Sequence, residues 1–403
     1  MPKAEMLRWA PAFLNCLDGP VEEIMKIRKI QGFYLFSPFE RKLGNSLSWM
    51  EGKPASVLKI DTEEGVTGYG EAYQAYGAQQ KQLFQVMKSL FPCLAGFSFV
   101  AWEELREKLR CIMNEVPAGI QHRIESAFNL AFWDIRGKME NQPVCKLFGC
   151  RAKQAIPVYG TGLFYRDVPG VKDQLPLLLH EASLFANAGY HGIKMKAGRY
   201  PAQQEAWLIE QVRRELPEKI NLMVDANCGM KSMKETVELM KRLEAIGIKW
   251  LEEPFSPEAY SQYAEACLQS NGLPIAAGEH EVEMEGFRKL SNAGVAILQP
   301  ELSLCGGLSQ ALDLIKLARE CQLQLTPHVW GSGVLYSATL NFYSMLGLEH
   351  NTLYECPFFT DPLRDHCFNH LFIKQGSINV PVAPGWGIEL DEAQFMAHVV
   401  ESV

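Results

Sequence analysis

The sequence predicts an α/β protein: a (β/α)8 barrel of the TIM type, capped by an α+β domain that the N-terminal region and the C-terminal tail build together. A repeating unit carries the barrel. Short apolar runs that end in an ionisable residue recur through the second half of the chain. Leu222-Met-Val224 leads to Asp225, Gly247-Ile-Lys-Trp-Leu251 to Glu252, and Pro274-Ile-Ala-Ala-Gly278 to Glu279. Val295-Ala-Ile-Leu298 then leads to Glu301, Gln322-Leu-Gln-Leu325 to His328, and Asn351-Thr-Leu-Tyr354 to Glu355. These polar ends are 27, 27, 22, 27 and 27 residues apart, with segments of helical period such as Lys234 to Ala245 and Gly307 to Cys321 between them. Strand, polar end, helix is the unit of a barrel whose chemistry collects at the carboxyl ends of its strands. The second observation is length, since 403 residues exceed the ~250 of a plain barrel and leave room for another domain.

That further domain opens the chain. Residues 1–23, with Leu7-Arg-Trp-Ala-Pro-Ala-Phe-Leu14 interrupted by prolines, form an arm of no evident role. Residues 24–140 read as the cap. Met25-Lys-Ile-Arg-Lys-Ile30, Ala55-Ser-Val-Leu-Lys-Ile60 and Gly65-Val-Thr-Gly-Tyr-Gly70 suggest a β meander, followed by amphipathic helices over Gln79–Leu94, Ala101–Met113 and Arg123–Met139. Ser37 to Ser46, with Pro38 and Gly44 marking irregular backbone, reads as a loop able to serve as a substrate-facing lid. The barrel occupies residues 141–360, its first strands being Ala155-Ile-Pro-Val-Tyr159 and Gly192-Ile-Lys-Met-Lys196. Residues 361–403 are turn-rich, end in a short helix and return to the cap.

Composition narrows the class of partner. A formal charge of −8 and a pI near 5.7, with basic residues scattered, exclude an anionic nucleic-acid or membrane partner and favour a small molecule. No apolar run approaches the ~18 residues of a membrane span, and Met1 to Pro20 lacks a basic leader with an apolar core. The expected location is the cytoplasm. The eleven cysteines form no close CxxC pair and sit in apolar or helical runs, as packed free thiols in a reducing compartment do.

The strand ends carry the chemistry. Asp225, Glu252 and Glu279 offer three hard oxygen ligands, which suits Mg²⁺ completed by water and substrate oxygens. Such an ion stabilises the charge left when the proton alpha to a substrate carboxylate is removed. Lys196 fits the base, its ammonium giving up a proton with the help of the neighbouring cation Lys194 and the metal. His328 serves as acid or base on the opposite face, with Glu301 accepting its other N–H. Glu355, if protonated, hydrogen-bonds the developing enolate. Asn227 and His280, each beside a ligand, are candidates to touch substrate hydroxyls. Taken singly, Lys-Met-Lys reads as a solvated edge and His328 as a core histidine; ionisable groups at seven strand ends in register do not.

Together these motifs resemble the enolase superfamily, and its mandelate racemase subgroup in particular. The resemblance covers roughly residues 24–390 and rests on Lys194-Met-Lys196, Val224-Asp-Ala-Asn227, Leu251-Glu-Glu-Pro254, Gly278-Glu279, Gln299-Pro300 with Gly306-Gly307, and Pro327-His328. It implies that Lys196 is the base for one face and His328 for the other, with Mg²⁺ as cofactor. Asp134, in Phe132-Trp-Asp-Ile-Arg-Gly-Lys138, also looks familial and reads as structural. One position departs: the histidine's partner in the subgroup is usually aspartate, and Glu301 adds a methylene that either reorients the histidine or weakens its acid step. The expected activity is dehydration of a sugar acid to a 2-keto-3-deoxy acid, because Arg41, Lys42, Asn45 and Ser46 in the lid suit hydroxyls or a distal carboxylate. The alternatives are a racemase or epimerase of a 2-hydroxy acid and, from another class, a non-catalytic barrel protein. A homo-oligomer is the expected assembly.

Overall fold

The computed structural model describes residues 23–73, 77–150, 155–346, 352–357, 361–368 and 371–403. The N-terminal arm of residues 1–23 lies, but for its last residue, outside them. The cap begins with an antiparallel sheet of β1 (Met25–Gly44), β2 (Trp49–Thr62) and β3 (Thr67–Ala72), extended by the short β4 (Ser98–Phe99). Helices α1 (Gly77–Leu94), α2 (Trp102–Ile112) and α3 (Ala118–Met139) follow. Alternation along β1 and β2 turns Met25, Ile27, Leu58 and Ile60 onto Leu83, Phe84, Phe128 and Phe132 of the helices, which gives the cap its own core. Gly70 permits close approach of β3 and α3, because a Cβ there would lie 1.8 Å from the Ala127 carbonyl oxygen.

The loop expected over Ser37–Ser46 is instead mostly ladder. Phe36, Ser37 and Pro38 face Pro54, Lys53 and Gly52, and Leu43 and Gly44 face Met50 and Trp49, with the register shifting between Pro38 and Leu43. A bulge absorbs the proline and the extra residues, so β1 and β2 form one long hairpin whose tip is Asn45 to Ser48.

After the short α4 (Val144–Leu147) come eight parallel strands: β5 (Ala155–Gly162), β6 (Gly192–Lys196), β7 (Asn221–Asp225), β8 (Leu251–Glu252), β9 (Ile275–Ala277), β10 (Ile297–Leu298), β11 (Gln324–Leu325) and β12 (Tyr354–Pro357). Their order is β12-β5-β6-β7-β8-β9-β10-β11, each neighbouring pair parallel. Helices α5 (Val171–Asn187), α6 (Ala202–Glu215), α7 (Met233–Ala245), α8 (Tyr260–Gln269), α9 (Met284–Asn292), α10 (Gly307–Cys321) and α11 (Gly333–Leu346) alternate with them. This is the capped (β/α)8 barrel. Its interior floor is Tyr159, Met223, Ala276 and Ile297, one side chain from each of four strands, with Trp250 directly before β8. No helix among the described residues is long and apolar enough to cross a membrane.

The tail forms α12 (Pro362–Asp365), the hairpin β13 (Ile373–Lys374) and β14 (Ser377–Asn379), then α13 (Glu392–Ala397) and β15 (Val399–Ser402). β14 pairs antiparallel with the start of β5, while β15, a strand not expected from the sequence, pairs with β1 through Phe33↔Ser402 and Leu35↔Val399. Buried Lys53 of β2 donates to Asp361 at 2.6 Å, a second tie between tail and cap.

Cap and barrel are joined by buried polar groups. Glu71, at the end of β3, accepts from the Ser332 and Leu335 N–H groups and from the Ser332 hydroxyl, satisfying the first turn of α11. Gly306 and Gly307 (φ 88° and 75°) open α10 against α3, where a Cβ on Gly307 would meet the Asn129 side chain at 2.4 Å. Asp134 is structural, as expected: it accepts from the N–H groups of Tyr69 (2.9 Å) and Trp386 (2.8 Å) and from Lys138 Nζ (2.7 Å). Asp134→Ala strands two buried N–H donors and is expected to lower unfolding free energy by about 3 kcal/mol. Urea denaturation measures it, and a loss under about 1 kcal/mol would remove Asp134 from this role.

Candidate active site

Strand alternation on β6 turns Met195 to the helices and both lysines to the barrel mouth. Lys194 Nζ lies 2.6 Å from Glu252 Oε1, 2.8 Å from Glu355 Oε1 and 3.8 Å from Asp225 Oδ2. Burial works against this ammonium, yet Glu252, Glu355 and Asp225 outweigh it and hold Lys194 protonated well above the usual range. Lys194 is thus a buried cation held among three acids. Lys196 Nζ lies 2.6 Å from Asp225 Oδ2 and 5.2 Å over the ring of Phe164.

On the far side of the mouth, His328 follows β11. Its Nδ1 is 2.9 Å from Glu301 Oε2, and its Nε2 faces Glu279 Oε2 at 3.4 Å. Glu301 is itself fixed by the Ser303 N–H and hydroxyl at 2.9 and 2.8 Å. The longer side chain at 301 therefore still reaches the imidazole. Burial lowers the His328 pKa, but Glu279, Glu355 and Glu301 outweigh it and raise it to about 10.

Glu355 lies between Lys194 and His328. Burial works to raise its pKa, but Lys194 and His328 outweigh it and hold it down at about 2. Its Oε1 also accepts from the Thr161 hydroxyl and its Oε2 from the Val329 N–H at 3.1 Å, which links β5 and β12 to the end of β11.

Of the expected ligands, Asp225 Oδ1 accepts from the Asn227 N–H at 2.9 Å. Glu252 Oε2 accepts from Trp250 Nε1 (3.0 Å) and Gln299 Nε2 (2.8 Å). Glu279 differs: its Oε2 is buried and has no hydrogen-bond partner. Around one mouth, Asp225, Glu252, Glu279, Glu301 and Glu355 thus face Lys194, Lys196 and His328.

The expected substrate contacts divide. Asn227 (φ 41°) keeps a buried Oδ1 without a partner, and His280 stands half-exposed with Nδ1 3.1 Å from Glu253 Oε2. Asn45 is turned onto its own loop, where its Oδ1 accepts from the Leu47 and Ser48 N–H groups. Arg41 is exposed on the arm of the hairpin. The hairpin tip is seated on the barrel by Arg199, which the sequence reading passed over and which donates to the Asn45 and Ser48 carbonyls (2.9 and 3.0 Å), and by the Ser46 hydroxyl, which donates to Asn227 O (2.9 Å). Thr161 and Gln299 were also missed, although both are polar residues at the ends of barrel strands. So was Glu253, whose signal was an acid directly before Pro254.

This architecture and this mouth define a capped-barrel protein built around carboxylates and paired lysines. Residues 178–394 match the enolase C-terminal domain-like family, and residues 40–149 match the N-terminal domain of the mandelate racemase/muconate lactonizing enzyme group. The chain belongs to the enolase superfamily. It is 29% identical to D-galactarolactone cycloisomerase of Agrobacterium fabrum over 89% of this chain and 93% of that one. It is 27% identical to arabinonate dehydratase of Saccharolobus solfataricus (86% and 91%), and 27% identical to the N-succinyl-L-Arg/Lys racemase of Bacillus cereus (91% and 96%). The crystal structure of the 3,6-anhydro-D-galactonate cycloisomerase of Zobellia galactanivorans superposes with TM-score 0.81 at 28% identity, covering 93% of this chain and all of that one. A Streptomyces coelicolor racemase with bound magnesium shares the fold at TM-score 0.80 and 24% identity, over 93% of this chain and all of that one.

Proposed function

We propose that the protein is a Mg²⁺-dependent acid-sugar dehydratase that removes the proton alpha to a carboxylate and expels the neighbouring hydroxyl. The observation that carries this is the placement of Lys196 and His328, on β6 and after β11, at opposite sides of one carboxylate-lined mouth. A hard divalent cation suits the donor set, since the buried Glu279 Oε2, which accepts no hydrogen bond, and the excess of carboxylates over cations both call for positive charge. Asp225, Glu252 and Glu279 would hold it, and when bound it supplies Lewis acidity for the negative charge that develops on the substrate carboxylate.

The chain's own groups divide the proton work. Lys196 Nζ takes the α proton, breaking the C–H bond from the β6 side. His328 Nε2 then protonates the departing 3-hydroxyl, water leaves, and the enol ketonises to a 2-keto-3-deoxy acid. Glu301 holds Nδ1, so that Nε2 is the nitrogen presented to the mouth. Lys194, anchored by Glu355 and Glu252, sets a buried positive charge beneath the reacting carboxylate.

The second reading, a racemase or epimerase, uses the same pair, with His328 returning the proton to the opposite face. Its support is the relation to the Bacillus cereus racemase. Incubating the protein and Mg²⁺ with a panel of aldonates and aldarates in D₂O tests the choice. A 2-keto-3-deoxy product is expected; deuterium uptake with inversion and no keto product would replace the dehydratase by the racemase.

A further inference from the structure

Three ligand-type side chains that the proposed reaction leaves unused converge beside the mouth. Cys228 lies in the turn after β7, Glu253 directly follows β8, and His280 follows β9, so three successive strand ends contribute one group each. Among the described residues, this is the one group of three such side chains whose donor atoms all lie within 4.8 Å of one another. Cys228 Sγ is 3.3 Å and His280 Nδ1 3.1 Å from the same atom, Glu253 Oε2. A tetrahedral ion bound by sulfur at ~2.3 Å and by nitrogen and oxygen at ~2.0–2.1 Å spaces its ligands about 3.3–3.7 Å apart. The two short edges are therefore already close to the spacing such an ion requires.

Backbone geometry is an independent sign. Asn227, Cys228 and Glu253 have φ of 41°, 60° and 39°, the left-handed region that non-glycine residues enter at a cost of order 1 kcal/mol or more each. The chain keeps this strain in two separate loops, and its effect is to aim Cys228 and Glu253 at one point. Glu253 is held there by the Gly278 N–H, which bonds its Oε1 at 3.0 Å and leaves Oε2 to the thiol and imidazole. On Asn227, the residue before Cys228, a buried Oδ1 is without a partner. His280 is half-exposed, which gives an ion a way in.

We propose that Cys228, Glu253 and His280 form a site for a thiophilic divalent cation, Zn²⁺ fitting best, separate from the all-oxygen set of Asp225, Glu252 and Glu279. The donors decide the class, because sulfur and imidazole with one carboxylate suit zinc, whereas Mg²⁺ takes oxygen alone. Glu253 and His280 each directly follow a member of the oxygen set. The two sets adjoin at His280, whose Nδ1 lies 3.6 Å from Glu279 Oε1, and part at Glu253, whose left-handed backbone (φ 39°) carries its side chain to Cys228 and His280.

The test uses the full chain with Mg²⁺ in excess and Co²⁺ as the coloured stand-in for Zn²⁺. One equivalent of Co²⁺ is expected to bind per chain with a thiolate-to-cobalt charge-transfer band, and Zn²⁺ is expected to displace it. Cys228→Ser abolishes the band, His280→Gln weakens Co²⁺ binding by about 10–100-fold, and Glu252→Gln leaves the band in place. Absence of the band from the unaltered protein, its survival in Cys228→Ser, or undiminished binding in His280→Gln would overturn the site. Loss of the band in Glu252→Gln would overturn its separateness.

Discussion

Replacing His328 by Asn is expected to pull the two half-reactions apart. For a substrate whose α proton faces Lys196, the variant still exchanges that proton with D₂O, while turnover to dehydrated or inverted product falls by about 10²-fold or more. The asparagine keeps one hydrogen-bonding group near Glu301 Oε2, where the imidazole Nδ1 sits at 2.9 Å, but it carries no proton to give at the mouth. Lys196, with Asp225 beside it at 2.6 Å, is on the other side and is untouched. Glu301→Gln acts in the same direction more weakly, since the histidine remains and only its orientation is disturbed. Proton NMR of the substrate in D₂O reads both steps. If His328→Asn abolishes exchange from that face, His328 is the abstracting base for that substrate and the role given to Lys196 is wrong.

Glu252→Gln is expected to lower Mg²⁺ affinity by at least about 100-fold with little change in melting temperature. The carboxylate is fully buried beneath the mouth and is one of the three proposed ligand charges. The loss of charge is not ruinous to the fold, because Lys194 keeps Glu355 at 2.8 Å and Asp225 at 3.8 Å. The new amide also has a partner within reach: Gln299, whose Oε1 is buried and unpartnered, can turn that oxygen towards it. Isothermal titration with Mg²⁺ alone gives the affinity. An unchanged value would remove Glu252 from the ligand set.

How far the sequence could be read follows from where each feature's cause lies. The barrel was legible because its cause is local and repeated: an apolar strand must end in something polar at the mouth, and the return helix sets the interval. α10 even runs over Gly307–Cys321, the span its helical period marks. Strand lengths were less legible, since the apolar run Gly247–Leu251 pairs only at Leu251 and Glu252; burial makes a residue apolar whether or not it sits in a ladder. Pro38 and Gly44 signalled a loop, and the hairpin accommodated them through a register shift that only the partner strand reveals. β15 escaped notice because Val399-Val-Glu-Ser402 is short and mostly exposed, held by backbone bonds to β1 rather than by its own pattern.

At the site, residue types and strand ends were legible, and protonation was not. Glu355 is held towards its charged form against its own burial because Lys194, from a strand two places away, stands 2.8 Å from it, a distance no spacing along the chain encodes. Asn45 turned inward on its own loop and Arg199 became the anchor of the hairpin tip for the same reason: loop conformation is decided by what the loop lands on.

The most direct measurement of the central claim is α-proton exchange into D₂O across a library of sugar acids, followed by NMR with Mg²⁺ present and after its chelation. The account predicts exchange that requires Mg²⁺ and is lost in Lys196→Met for at least one aldonate or aldarate. Exchange that persists without the metal, survives in Lys196→Met, or occurs with no carboxylate in the library would contradict it.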